Sequence, residues 1–211
     1  MERMRIVIPL FDRFTALDAV GPYEVLGHIP GAKLVFAAAT TGPVRSGNGA
    51  LAIMADASLN EIKSCDVLVV PGGPGAREVL TDESFIAWVR QIHPTTQWTT
   101  SVCTGSLVLA AAGLLDGLEA TTHWQAIGTL EALGARYSSQ RVVTRGKIMT
   151  SAGVSAGIDM ALTLASHIAG DDVAEAIQLV LEYDPQPPFD GGSLGKSRPE
   201  TVALVRSGLK A

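Results

Sequence analysis

The chain has 211 residues, 47% hydrophobic and 18% charged, with a formal net charge of -5. That balance describes one well-buried soluble domain, and it argues against disorder and against a nucleic-acid surface, which would need a clustered excess of lysine and arginine. No apolar run approaches the roughly 20 residues that span a bilayer, and the opening MERMRIVIPLFD meets Asp12 and Arg13 too early for a signal peptide, so a cytoplasmic protein with no membrane partner is expected.

In chain order, apolar β-branched runs at 5–10 (RIVIPL), 33–39 (KLVFAAA), 66–73 (DVLVVPGG) and 97–103 (QWTTSVC) predict parallel strands buried on both faces. Helical patterns at about 16–28, 76–93, 104–113 and 124–133 have lengths that suit right-handed crossovers. The stretch 44–54 predicts a hairpin around Gly47-Asn48-Gly49, and 141–151 a second pair turning at Arg145-Gly146; both are expected to decorate the main sheet. A buried helix is predicted over 151–170, with Ser155 as cap and Gly170 as stop, and another over 171–183, with acidic residues at its positive end. The proline- and glycine-rich DPQPPFDGGSLGKSRPE follows, with a last short helix at 199–209. The expected α/β fold is an open, doubly wound, mostly parallel sheet over residues 1–183, with 184–211 as an extension packing on the same domain. Sites on such a sheet lie at carboxyl ends of strands, near the switch in strand order.

Cys103 ends a predicted strand and immediately precedes a helix, so the chain must turn sharply around it and expose its side chain, as at the nucleophile elbow of α/β hydrolases. Unpaired N–H groups and the helix dipole there favour thiolate over thiol. The alternative is a buried small hydrophobe, the ordinary fate of a free cysteine and the reading taken for Cys65. In a reducing compartment the two thiols are expected to stay separate.

Gly72 and Gly73, in VVPGGPGA, repeat the strand-end geometry and are oxyanion-hole candidates whose backbone donors would meet a developing charge; the alternative is a tight strand-to-helix turn. Asp18 interrupts the apolar helix pattern of FTALDAVGPYEVL, where an ionised carboxylate is costly without a partner. It either points into a cleft toward the Cys103 sulfur or serves as a cap before Gly21-Pro22. His123, in ATTHWQAIG, is the natural general-base candidate for the cysteine, but its place fits a helix-entry residue better. No HExxH or clustered Cys/His spacing suggests a metal, and PGGPGA is neither a P-loop nor a GxGxxG fingerprint. Trp88, Trp98 and Trp124 read as packing residues, while Phe14, Val20, Tyr23 and Trp124 are candidates for apolar pocket walls.

Taken together, FDRFTALDAVGPYEVL, LVVPGGPG, SVCTGSLVLAAAGLLDGLEATTHWQAI, TSAGVSAGIDMAL and EYDPQPPFDGGS resemble the ThiJ/PfpI superfamily across nearly the whole chain. Cys-Thr-Gly after the strand, Thr-His-Trp downstream and the YDPQPPFD tail narrow the resemblance to its isonitrile-hydrating branch. The resemblance implies a flavodoxin-like fold, a homodimer, no cofactor or metal, and a small-molecule isonitrile substrate converted to an N-substituted formamide. It implies that Cys103 is the nucleophile, Asp18 the acid/base partner and Thr104 a required neighbour. A thiolate adding to the isonitrile carbon would give a thioimidate that water opens, with Asp18 delivering a proton and then activating water, a shuttle that needs its pKa raised by burial.

Competing readings meet specific departures. A PfpI-type peptidase places histidine directly after the cysteine, and this chain has Thr104; a class I amidotransferase needs His-x-Glu, and His167 is followed by Ile168 and Ala169. The sensing domains of AraC-type regulators share much of the pattern, but a helix-turn-helix region would need more than the residues after Tyr183. A cysteine-based redox sensor, or a glyoxalase- or deglycase-like enzyme, remains the alternative on this fold.

Overall fold

The first β-branched run forms β1 (Met4–Pro9), with Ile6, Val7 and Ile8 wholly buried, in a computed structural model that describes residues 4–208. There follow α1 (Ala16–Leu26), β2 (Ala32–Ala38), β3 (Gly42–Arg45), β4 (Ala52–Ala55), β5 (Ala57–Ser58), β6 (Val67–Val70), α2 (Ala76–Val79), α3 (Glu83–Ile92), β7 (Trp98–Val102) and α4 (Gly105–Ala111). Beyond the α4 turn come β8 (Glu119–Ala120), α5 (Ile127–Ala132), β9 (Arg136–Tyr137), β10 (Val142–Arg145), β11 (Ile148–Ser151), α6 (Ala156–Ala169) and α7 (Asp171–Val180). One unit runs to Leu181; a second begins at Glu182 and carries α8 (Pro199–Arg206).

Seven strands form one sheet in the order β10-β11-β7-β6-β1-β2-β5, parallel throughout except at the β10 edge. Thr99 and Val102, three apart on β7, face opposite sides. Thr99 Oγ1 meets His93 Nδ1 at 2.8 Å just after α3, whereas Val102 packs on Gly157 of α6, so the sheet is covered on both faces. This is the expected doubly wound, flavodoxin-like α/β fold. From β1 the chain goes first to β2 on one side and then to β6 on the other, so the carboxyl ends of β1 and β6 flank the switch-point crevice.

Three local expectations are corrected. The pair at 141–151 is no decoration: β11 is fully buried and pairs in parallel with β7, from Ile148 opposite Thr99 to Ser151 opposite Val102, and β10 closes the edge. Of the two predicted pairs, only the hairpin β3–β4 stands apart from the main sheet. The stretch 76–93 is two helices, because Asp82 accepts from the Ser84 and Phe85 amides at 3.0 and 3.1 Å and starts α3 anew. Ser155 precedes α6 without a capping bond, since its Oγ accepts from Arg141 Nη2 at 3.2 Å instead. Gly170 does stop α6, at φ 91. The short parallel pair β8–β9 was not anticipated; two residues per strand leave no periodic signal. Among the described residues no helix is long and apolar enough to cross a membrane.

Candidate active site

Cys103 stands between the end of β7 and the start of α4, and its φ of 57 places a non-glycine residue in the left-handed region. Such a conformation costs about 1–3 kcal/mol and persists only where neighbours enforce it. Here the Cys103 amide donates to the Ala152 carbonyl at 3.0 Å, and its carbonyl accepts from Thr122 Oγ1 and Ser106 Oγ, each at 3.1 Å. The turn also needs a close approach behind it. A Cβ on Gly105 would lie 2.2 Å from the Val70 carbonyl oxygen, so α4 can seat against the end of β6 only with glycine there. Gly105→Ala is therefore expected to lower stability by about 3 kcal/mol or more, a loss that urea unfolding would measure; an unchanged midpoint would show that α4 can shift freely.

Asp18 reaches this elbow from the first turn of α1 and is wholly buried, as the cleft-facing reading requires. Its Oδ2 accepts the Gly72 amide at 2.9 Å, while Oδ1 has no hydrogen-bond partner in the protein. Burial pushes the carboxyl up to about 7, against the Gly72 hydrogen bond and a favourable interaction with the Cys103 thiol. Oδ1 makes no hydrogen bond of ordinary geometry, yet the Cys103 thiol acts on this carboxyl after burial and the Gly72 amide, so acid and sulfur lie within reach of each other. Pro22 lies inside α1 and lacks the N–H that would otherwise bond the Asp18 carbonyl, yet α1 runs unbroken through both residues.

Gly72 and Gly73 do not present free donors. Their N–H groups are occupied, by Asp18 Oδ2 and by Thr104 Oγ1 at 2.9 Å respectively. What they supply is proximity: a Cβ on Gly72 would meet the Thr104 amide nitrogen at 2.5 Å, and Gly73, at φ 141, would meet the Thr15 nitrogen at 2.5 Å. The Thr15 amide donates to the Gly72 carbonyl at 2.8 Å, so the loops after β1 and β6 hold each other and fix Asp18 opposite Cys103.

Cys103 as a whole is buried, at 5% exposure. Burial, then the nearby Asp18 carboxylate, push its thiol up to about 12, opposed by the Val154 and Thr104 amides and the Thr104 hydroxyl. The expectation of a thiolate favoured by the helix terminus is thus reversed in the free protein: α4 has only seven residues, and desolvation outweighs its end. Val154 was missed from sequence. It is a β-branched residue at φ 38, an outlier held between β11 and α6, and the only hint was the SAGVSAG run around it.

His123 caps the short helical turn after β8, its Nδ1 accepting the Gln125 amide at 3.3 Å, and its ring lies against Gly153. Burial lowers its pKa, keeping it neutral, and it is not among the groups acting on the Cys103 sulfur. Of the suggested apolar walls, Phe14 is wholly buried in the core, and Tyr23 is stacked on Phe36 at 5.3 Å. Trp88 is core and Trp98 stacks on His167. Cys65 is buried, free of any disulfide, and pushed up to about 12 by burial. Among the described residues no three His, Cys, Asp or Glu side chains gather as metal ligands would.

A nucleophile elbow on a doubly wound sheet, faced by a buried acid from the first crossover helix, defines a class of cysteine-centred α/β proteins, and this chain belongs to the DJ-1/PfpI family, whose model matches residues 4–167. It is 43% identical over 190 residues to the isonitrile hydratase of Pseudomonas putida, covering 90% of this chain and 83% of that one. Its structure is similar to that of a ThiJ/PfpI family protein from Pseudomonas syringae, with TM-score 0.93 and 35% identity over 98% of this chain and 86% of the other. An HTH-type transcriptional regulator of Pseudomonas aeruginosa is 31% identical over 80% of this chain, which spans 51% of the regulator's length.

Proposed function

We propose that this protein is an isonitrile hydratase, adding water to R–NC to give R–NH–CHO with Cys103 as nucleophile and Asp18 as proton shuttle. One observation carries the chemistry: a buried acid with one unpartnered carboxylate oxygen stands beside the only cysteine at a strand-to-helix turn. Isonitrile addition places the sulfur and a proton on the same carbon, so nucleophile and acid must share one side of the substrate. The 43% identity to the Pseudomonas putida hydratase supports the substrate class.

In the first step the Asp18 carboxylate takes the Cys103 proton as sulfur bonds to the terminal carbon, then returns it to that carbon, giving the thioimidate R–N=CH–S–Cys. A thiol held near 12 suits this sequence, because the proton moves only as the bond forms and no free thiolate is required. In the second step the ionised carboxylate draws a proton from water as the oxygen adds to the carbon, and passes it to the nitrogen. The carbon–sulfur bond then breaks as the adduct's hydroxyl proton moves by way of the same carboxylate to the sulfur, restoring the thiol, and the formamide leaves. Thr104 Oγ1 accepts from the Gly73 amide and has one proton to direct either at the Gly73 carbonyl, 3.3 Å away, or at the sulfur. Thr104→Val is accordingly expected to lower kcat about 10- to 100-fold, with Thr104→Ser restoring most of it; equal loss in both variants would contradict a role for the hydroxyl.

The working form carries an ionised Asp18, so kcat/KM is expected to rise with pH through about 7 and level off above it. A profile that falls on rising through this range would reverse the proton assignment. The reading is tested by incubating the protein with an aryl isonitrile, without added metal, and measuring the N-substituted formamide. No formamide, together with lactate from methylglyoxal, would replace it with the glyoxalase alternative. The proposal includes a cytoplasmic homodimer; exposed Leu17 and Tyr23 on α1 and Met54 on β4 are apolar surface that a second copy would cover, and light scattering at twice the chain mass is the expected result.

A further inference from the structure

A cavity of about 330 Å³ lies outside the carboxyl ends of β1 and β2, and none of its lining residues belongs to the Cys103 site. Its floor is apolar. Leu10, Phe11 and Phe85 are buried there, the two rings meeting edge-on with centroids 5.9 Å apart. Its rim is acidic: Asp12, Glu78 and Asp82 line it, and no lysine, arginine or histidine does. The three carboxylates are not equivalent. Glu78 pairs with Arg13 at 2.9 Å, and Asp82 is held at the start of α3 by the Ser84 and Phe85 amides. Asp12 has no hydrogen bond or ion pair with any described residue.

We propose that this cavity is a second small-molecule site, taking an organic monocation with an ammonium group on a compact aromatic or aliphatic body. The volume falls at the small end of ligand clefts. The acidic rim disfavours anions, and its net charge, three carboxylates against one guanidinium, attracts a cation that Asp12 is free to meet. The apolar floor of Leu10, Phe11 and Phe85 then favours an organic cation over a hydrated metal ion. Its position beside the β1–β6 switch is where doubly wound sheets bind ligands.

The test is calorimetric titration of the full chain with benzylammonium at neutral pH, with benzyl alcohol and benzoate as uncharged and anionic counterparts. Saturable one-to-one binding of benzylammonium is expected, with benzyl alcohol about tenfold weaker and benzoate silent. Asp12→Asn should weaken it about three- to fivefold, the range for one solvent-exposed ion pair, and high salt should act similarly. Thr40→Trp, an exposed lining residue replaced by a ring that fills the space, should abolish it. Cys103→Ala should leave it unchanged. No saturable binding, benzoate binding as tightly, indifference to both cavity variants, or loss of binding in Cys103→Ala would each overturn the proposal. None of these outcomes depends on whether isonitriles are turned over.

Discussion

Cys103→Ala is expected to reduce isonitrile turnover about 10⁴-fold or more, to the level of uncatalysed hydration, while the protein still folds. The reason for so large an effect is that no neighbouring group can take the sulfur's place. Asp18 is fixed by the Gly72 amide, the Thr104 hydroxyl is engaged with Gly73, and Cys65 is buried and bonded through its amide to Thr95 on β6's far, amino-terminal side. The fold should tolerate the change because the elbow is held by main-chain and hydroxyl bonds to residue 103, none of which uses its side chain. Circular dichroism and the melting temperature of the variant check the second half of this expectation; a variant that hydrates isonitriles at even a tenth of the native rate contradicts the first.

Asp18→Asn is expected to lower turnover about 10²- to 10⁴-fold, the range for a general acid–base group, and to make the protein more stable in alkali. The stability effect follows from the same burial. With the folded carboxyl near 7 and its model value at 3.8, the folded state keeps a proton between those values that the unfolded chain has lost. The stabilisation is present below the lower value and disappears as pH rises through the upper one, a loss of about 3 kcal/mol between about pH 5 and pH 9. Asparagine cannot ionise, and its side-chain oxygen can still accept the Gly72 amide. Denaturant unfolding of the variant should therefore lack this part of the pH dependence and exceed the native stability near pH 9. Parallel curves for the two proteins would mean that Asp18 is ionised cheaply and is a poor shuttle.

The features readable from sequence are those with a local signature. Ile6, Val7 and Ile8, and the four residues of β6, announce buried parallel strands by β-branched composition alone. Asp18 is conspicuous as one charge in an apolar helical pattern, and Cys103 as a cysteine where a strand must become a helix; the structure brings the two together. What escaped depends on contacts between distant segments. β11 looks like half of a hairpin until its pairing with β7, some fifty residues earlier, is seen. Gly72 and Gly73 look like free donors until their amides are traced to Asp18 on α1 and to Thr104 at the start of α4. The upward shift of the thiol depends on how completely the site is closed, and a seven-residue helix gave a misleading local cue. Asp82 carried its own signal, an aspartate two residues before an amide it could cap, which the apolar periodicity of 76–93 concealed.

The most direct test of covalent catalysis is rapid acid quenching of the protein during turnover of an aryl isonitrile, followed by intact and peptide mass measurement. The account predicts an adduct heavier than the free protein by one isonitrile, located on the peptide containing Cys103, that decays as formamide appears and accumulates in Asp18→Asn if addition still occurs there. Formamide production with no adduct on Cys103 at any quench time, and undiminished turnover after that cysteine is removed, would contradict it.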